Sequence, residues 1–286
     1  MKSSRTARVL RVIAIVALLA WSLGPVLIGV ITSLSNQTDV QAVPTRLLPH
    51  HWTLDAFRAL VGGTSSNLAG GTVSESGTFS TAMFNSAIIT TLATLGTLLV
   101  AIPAAYSFSR LRARFNRPLF WGILATMIVP VFTIVISLYR LMADLGLIDT
   151  KVGLTLVFIS TLAPLAMWLL YNHIRELPVE PEEAALIDGC NRWNAFYRVV
   201  VPQMRSGIAA VSAILILSVW GEFLIPLLLT STLSSKPVTV LITEYVGKYT
   251  TDYPLLAAAG VLILIPPAIV ALVLNRHIRG VLSGTS

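Results

Sequence analysis

Charge and cysteine are the scarce features of this chain. Only 12% of its 286 residues are Asp, Glu, Lys or Arg, where a soluble globular chain carries roughly 25%. The single cysteine, Cys190, excludes an internal disulfide framework. It reads as a small residue in a helix turn rather than a redox group. Four histidines are present, at 50, 51, 173 and 277, and no further Cys or His lies near the adjacent His50 and His51. The adjacent His50 and His51 read as a solvated surface pair, and His173 and His277 as residues at span ends. No G-x-x-x-x-G-K-S/T loop occurs; Gly247-Lys248 is followed by Tyr249, so an ATP-binding loop of that type is excluded. No Ser/His/Asp or metal-ligand constellation stands out, and no catalytic or metal residues are assigned.

Apolar runs are what the chain has in abundance. Hydrophobic residues make up 55% of it, with a mean hydropathy of +0.79. Runs of about 20 apolar residues are long enough to span a bilayer. Six such runs occur, near 12–34, 82–108, 119–142, 153–174, 207–230 and 254–275. Pro103, Pro130, Pro164, Pro226 and Pro266-Pro267 interrupt the last five, which membrane helices tolerate when neighbours re-satisfy the freed carbonyls. The expected fold class is therefore an all-α integral membrane protein with six transmembrane helices.

Six spans place both termini on one side. Fourteen of the twenty Lys and Arg residues fall on that side, within 2–11, 110–117, 175–205 and 276–279. Arg46, Arg58, Arg140, Lys151, Lys236 and Lys248 fall on the other. The positive-inside rule makes the richer side cytoplasmic. The net charge of +7 is then topological, and no nucleic-acid partner is needed to explain it. Basic residues precede the first run, but its apolar core is too long for a signal peptide and no small-x-small site stands out before Asn36. It reads as an uncleaved span. The loop 35–80 becomes extracytoplasmic, with Thr53 placed to cap a short helix and an irregular Gly/Ser/Thr-rich run over 62–80. Residues 1–79 and 80–280 are the expected division of the chain.

A polar island over 175–205 faces the cytoplasm in this topology. Pro181, Glu182 and Glu183 form a helix start, and Asp188-Gly189 a stop. The helix between them is about eight residues, roughly 12 Å. Asn191 caps a second helix that Pro202 ends, with Trp193, Phe196, Val199 and Val200 on one face. The first helix is marginal in water alone. Seated on the second, whose Trp193 and Phe196 bury against the membrane core, it would present Ala184 and Ala185 as a small-residue tip. Glu182, Glu183 and Asp188 would offer carboxylates to a partner's arginines. An ordinary solvated loop helix stays open on chemistry alone.

The run Glu183-Ala184-Ala185-x-x-Asp188-Gly189, followed by Phe196 and Val199-Val200-Val201-Pro202, resembles the EAA loop of binding-protein-dependent ABC importer permeases. Cys190 stands where that motif usually has another small residue. Phe84-Asn85-Ser86, Ser137-Leu138-Tyr139, Leu145-Gly146-Leu147-Ile148-Asp149-Thr150 and Arg175-Glu176-Leu177-Pro178 extend the resemblance to carbohydrate-type members. It covers about 80–280, and the whole chain is similar to the maltose-permease G type in length and span count. The resemblance implies a type I ABC importer permease fold in a prokaryotic cytoplasmic membrane. It implies a heterodimer with a second permease, two ATP-binding subunits holding ATP and Mg, and an extracytoplasmic solute-binding protein or lipoprotein. It makes 181–188 a coupling helix, with Glu183 facing an ATPase arginine, Ala184 and Ala185 as groove contacts and Gly189 as the bend. No cofactor is implied in this chain itself.

Candidate solute-path residues are fewer. Glu222 is the one acid well inside a predicted run and should face a cavity or the bundle interior. Trp220 offers an aromatic face, against ordinary aromatic packing. Asn85 and Tyr139 are further candidates. The loop 231–253, with Lys236, Glu244, Tyr245, Lys248, Tyr249 and Tyr253, would by resemblance reach toward the binding protein. A sugar or oligosaccharide is the implied solute. A polyol, a glycerol phosphoester or a peptide on the same architecture is the alternative. A secondary carrier would commonly show more spans and an internal repeat, and a membrane enzyme would show clustered catalytic side chains.

Overall fold

A computed structural model describes residues 5–42, 48–62, 65–66, 72–73, 77–111, 115–246 and 251–283. In chain order the helices are α1 (Arg5–Ser33), α2 (Gln37–Val40), α3 (Asp55–Val61), α4 (Thr78–Arg110), α5 (Asn116–Ala125), α6 (Val131–Asp144), α7 (Lys151–Glu176) and α8 (Glu180–Ile187). They continue as α9 (Arg192–Ala195), α10 (Val201–Gln203), α11 (Arg205–Gly221), α12 (Leu224–Leu229), α13 (Val238–Leu241) and α14 (Tyr253–Ser283). The described residues are helical apart from loops and one small antiparallel pairing, Ser65–Ser66 with Thr72–Val73. That pairing lies in the stretch expected to be irregular. Lys2, Arg46, Arg112, Arg114 and Lys248, all counted for sidedness, fall outside the described residues.

Four helical stretches are long and apolar enough to cross a membrane: Val9–Ser33, Thr78–Arg110, Lys151–Glu176 and Tyr253–Val273. Two bent pairs raise the number to six if each counts as one span. The prolines divide into two kinds. Pro103, Pro164 and Pro266-Pro267 lie inside α4, α7 and α14 without ending them. Pro130 and Pro226 accompany breaks, so the continuous spans expected over 119–142 and 207–230 do not form. At the first break Val129 is extended (ψ 117°), the conformation favoured before proline, and the helical segments on either side bend by 101°. At the second, α11 stops at Gly221 and Glu222 is extended (ψ 134°). Pro226 has no N–H to return to the Glu222 carbonyl four residues back, and its ring crowds that carbonyl. The Thr239 hydroxyl donates to the Glu222 carbonyl instead, at 3.1 Å.

The described chain divides into two compact units. One comprises Met1–Met83 and Val240–Ile265. In it the most apolar stretch of α1 buries none of its side chains. The Gln37 amide donates to the Thr251 carbonyl (2.6 Å) and accepts from the Tyr253 N–H (3.1 Å). Thr53 does not cap α3. Leu54 occupies the capping position, and the Thr53 hydroxyl accepts only a long 3.4 Å bond from the Asp55 N–H, because the Thr53 N–H is drawn to the Leu34 carbonyl (2.9 Å).

The other unit comprises Phe84–Thr239 and Pro266–Ser286. Lipid is as apolar as leucine, so association of such helices relies on close packing of small residues. Ala101 and Ala105 of α4 and Ala166 of α7 are fully buried together with Leu170, Ile174, Met204 and Leu215. Gly207 of α11 lies against His173 of α7 so closely that a Cβ would stand 2.2 Å from the ring. A second cluster joins Ile89, Leu154, Phe158, Val219 and Ile225.

Asp149, between α6 and α7, organises one end of this unit. It holds φ +57°, a left-handed conformation that Asp tolerates better than most residues. Its carboxylate accepts from the Ser231 N–H (2.9 Å), the Thr232 N–H (3.0 Å) and hydroxyl (2.7 Å), and the Ser235 hydroxyl (2.5 Å). Its N–H donates to the Leu229 carbonyl (2.8 Å). Partial burial alone would raise its pKa, but the bonds from Ser235, Ser231 and Thr232 outweigh that and hold it far below the ordinary 3.8. A depressed carboxylate contributes stability that is complete above its unfolded value and is lost as pH falls below it. Acidification below about pH 4 should therefore loosen 229–235, and Asp149→Asn should loosen it already at neutral pH. Hydrogen exchange at the Ser231 and Thr232 amides, expressed as protection relative to the intrinsic rate at each pH, measures both, with protection in the variant independent of pH over that range.

Candidate functional site

The polar segment 175–205 folds as two short helices because each end carries its own stop or start. Leu177, before Pro178, is extended (ψ 140°) and ends α7. α8 follows with Pro181 in its first turn beside Glu180, Glu182 and Glu183, one residue earlier than expected. Its far end is a Schellman arrangement: the Cys190 N–H returns to the Ala185 carbonyl (3.0 Å) and the Gly189 N–H to the Leu186 carbonyl (3.2 Å). Gly189 takes φ +89°, which only glycine adopts at little cost. The Asn191 side chain then accepts from the Asn194 N–H at 2.8 Å and starts α9.

Beyond α9 the chain differs from expectation. A wider, π-type turn runs over Phe196–Val200, and α10 carries the helix through Pro202 to Gln203. The bend comes after Gln203, at 72° to α11. The wider turn changes which residues share a face. Phe196 and Val200 are buried, whereas Trp193 is 65% exposed and stacks on Tyr197 with ring centroids 6.1 Å apart. The anticipated burial of Trp193 is thus replaced by burial of Phe196 alone, against Tyr106 at 4.7 Å.

The carboxylates of α8 also part company. Glu182 does not face a partner; it is 5% exposed and points into its own unit. The Tyr106 hydroxyl donates to its Oε1 at 2.5 Å. The Arg110 Nε stands 3.3 Å from its Oε2, with both side chains largely buried. That approach lacks hydrogen-bond geometry and is a charge contact. Arg110 also donates through Nη2 to the Ile174 (3.3 Å) and Leu177 (3.0 Å) carbonyls. One guanidinium so joins the last turn of α4, the last turn of α7 and the start of α8. Glu183, Ala184, Asp188 and Gly189 are exposed and Ala185 is half-buried. Ile187, at 85% exposure, adds an apolar side chain to this free face. The sequence signals for these additions were slight: Tyr106 and Arg110 lie four apart at a helix end, and Ile187 is the one bulky apolar residue beside the stop.

The remaining candidates do not converge. Trp220 is buried and Glu222 half-buried, and with Ser86, Thr90 and Thr239 they border a cleft of about 10 Å³, room for about one water. Glu222 is not in mid-helix. It sits at the α11–α12 break, where its carboxylate accepts from the Leu224 (3.2 Å) and Ile225 (3.5 Å) N–H groups. Asn85 is fully buried, and its amide donates to the Leu233 (2.8 Å) and Lys236 (3.0 Å) carbonyls. In this conformation it ties a loop and is not among the residues that border the cleft. Tyr139 is 43% exposed on α6, away from the cleft's lining. His50 and His51 are exposed, and among the described residues no group of His, Cys, Asp and Glu could hold a metal. Lys248 and Tyr249 of the 231–253 loop lie outside the described residues.

Residues 96–280, which contain the whole of this two-helix segment, match the model of the binding-protein-dependent transport system inner membrane component family. The chain belongs to this family. The diacetylchitobiose uptake system permease protein NgcG of Streptomyces coelicolor is 30% identical over 93% of this permease and 85% of its own length. The sulfoquinovosyl glycerol transport system permease protein SmoH of Agrobacterium fabrum is 28% identical over 96% and 92%. Among solved structures, a chain of a bacterial ABC transporter involved in import of the acidic polysaccharide alginate superposes with a TM-score of 0.80 at 22% identity, covering 96% of this permease and 99% of that chain. The permease is thus a multi-pass membrane component of an ABC importer and is not itself the ATPase.

Removing one member of a buried ion pair strands the other charge. Arg110→Leu should destabilise the permease by about 3–5 kcal/mol, read as a lower unfolding temperature in detergent. The double variant Arg110→Leu/Glu182→Leu should recover most of the loss, because no charge is left uncompensated. A single variant as stable as the parent would refute this account of Glu182.

Proposed function

We propose that this permease pairs with a second, similar permease to form the membrane pathway of an ATP-driven importer for a sugar or oligosaccharide. Both termini and the 175–205 segment face the cytoplasm of a prokaryotic cell, each bent pair counts as one of six spans, and an extracytoplasmic binding protein delivers the solute. Two ATP-binding subunits, which hold ATP and Mg, dock on α8. The observation that carries the proposal is the two-sided character of α8. Its inner side is tied to α4 through Glu182, while Glu183, Ala184 and Ile187 stand free on the other. A helix held this way transmits displacement to the spans as a rigid body. The carbohydrate assignment rests on relatives whose names specify diacetylchitobiose, sulfoquinovosyl glycerol and trehalose.

Glu183 supplies an acid to a partner arginine, Ala184 and Ala185 let the helix enter a groove, and Asp188 and Gly189 set the bend. Trp220 and Glu222 border the solute path, which opens only when the cleft between them widens. ATP and the loaded binding protein each shift the equilibrium through differential contacts with the two states.

Glu183→Lys reverses an exposed charge and leaves the buried contacts alone. It should leave the permease in the membrane and abolish solute-stimulated ATP hydrolysis in the assembled importer. Gly189→Pro should do the same, since proline cannot take φ +89°. Normal stimulated hydrolysis in either variant would count decisively against the coupling role of α8. Uptake of labelled disaccharides, with a free polyol and a peptide as competitors, tests the solute class.

A further inference from the structure

A groove of about 850 Å³ opens between the last turn of α4, the start of α5 and the last turns of α7. It belongs neither to the coupling helix nor to the cleft at Glu222. Its floor is aromatic: the Phe120 ring lies 4.4 Å from Tyr171 and 5.6 Å from Phe108. Its walls include Trp121 and Trp168, which are 61% and 41% exposed. Arg117 and Arg175 stand at it as well, both exposed, and among the described residues no acidic side chain lines it. Arg175 lies over the Tyr171 ring at 5.7 Å.

The charged donors at the groove are the two guanidiniums. The Asn116 amide is committed to the Ser107 (3.3 Å) and Leu111 (2.5 Å) carbonyls, and that of Asn172 to the Trp168 carbonyl (3.0 Å). Among the described residues neither Arg117 nor Arg175 has an acidic partner within 4.0 Å. Two guanidiniums without counter-ions therefore rim a ring-lined groove. Exposed tryptophans belong at the level where acyl chains meet headgroups. The groove sits at the end of the unit where Arg110 joins α4, α7 and α8, which is the cytoplasmic end in the topology proposed above.

We propose that this groove holds an anionic glycerophospholipid of the cytoplasmic leaflet. Its phosphodiester sits between Arg117 and Arg175, and its glycerol and upper acyl chain lie over Phe120, Trp121 and Trp168. Basic pockets between membrane helices on this side bind acidic headgroups, and arginine favours phosphate through paired donors. A soluble anion would satisfy the arginines but leave the exposed rings uncovered; a lipid satisfies both. The lipid would thereby brace α4 against α7 at the level from which α8 is suspended. The inference rests on the proposed sidedness for the leaflet, but the site stands on the geometry alone.

The test is native mass spectrometry of the permease, alone and in its assembled importer, released from phosphatidylcholine bilayers doped with phosphatidylglycerol. Phosphatidylglycerol should be retained in preference to phosphatidylcholine. Arg117→Gln/Arg175→Gln should lower that retention about tenfold or more, the loss expected for charge-assisted bonds of roughly 1.5–3 kcal/mol. Arg140→Gln, on α6, should not change it. Equal retention of the two lipids, or unchanged retention in the double variant, overturns the proposal. So does displacement of the lipid by inorganic phosphate alone, which would mark a soluble-anion site, or loss of retention on assembly, which would mark a subunit contact. Retention needs neither nucleotide nor solute, so its failure is distinct from a failure of the importer reading, which the hydrolysis assay measures.

Discussion

The charge contact between Glu182 and Arg110 is the constraint on which the α8 end of this permease depends. α8 is eight residues long and too short to persist alone in water. It is held by one carboxylate that also accepts from Tyr106, and by Phe196 packed on the same tyrosine. A buried ion pair contributes little net stability once desolvation is counted. Its effect here is on register: with the arginine also bound to the Ile174 and Leu177 carbonyls, only one rotation of α8 satisfies all partners. That rotation leaves Glu183, Ala184 and Ile187 outward. The exposed face of α8 is defined by what the opposite side of the helix must bury.

Elsewhere in the same unit, backbone breaks concentrate the polar groups. Pro226 denies the Glu222 carbonyl its helical donor, and the gap is filled by Thr239 while the Glu222 carboxylate collects the first N–H groups of α12. Nearby residues of the following loop are clamped by Asp149 and Asn85. These contacts share one logic: irregular backbone within an apolar chain is tolerated where other protein groups re-satisfy it. The cleft that these contacts leave at Trp220 and Glu222 has a volume of about 10 Å³, too small for anything larger than one water. The aromatic, arginine-rimmed groove at the other end of α7 shows the complementary case, where among the described residues two guanidiniums have no acidic partner.

Much of this was legible in the chain because the signals are local. The apolar runs, the asymmetry of Lys and Arg, and the Pro, Asn and Gly that start and stop α8 and α9 each act within a few residues. α8 and the helix after Asn191 begin and end within one or two residues of their start and stop signals, whereas α1 and α14 run seven or eight residues beyond the apolar runs that predict them and two of the six runs are broken. The misjudged points needed distant partners or an unusual turn. Trp193 was misassigned because the sequence carries no mark of the π-type turn at Phe196–Val200. Glu222 reads as mid-span in the sequence because nothing there distinguishes Pro226 from Pro164, which leaves its helix continuous. At Pro226 the Thr239 hydroxyl donates to the carbonyl that the broken helix leaves free, a partner distant in sequence.

The sequence by itself thus determined the class of this protein: a multi-pass helical chain carrying a two-helix polar segment of the importer-permease type. Hydropathy, charge asymmetry and capping are properties of neighbouring residues and survive without a folded context. Only the tertiary structure decided which of two adjacent glutamates is buried and which stays exposed. Glu182 and Glu183 are equivalent as letters, both acids in the first turn of one helix. Successive residues on a helix are turned by about 100°, and it is Tyr106, 76 positions away, together with Arg110, that selects Glu182 for the inside and leaves Glu183 free.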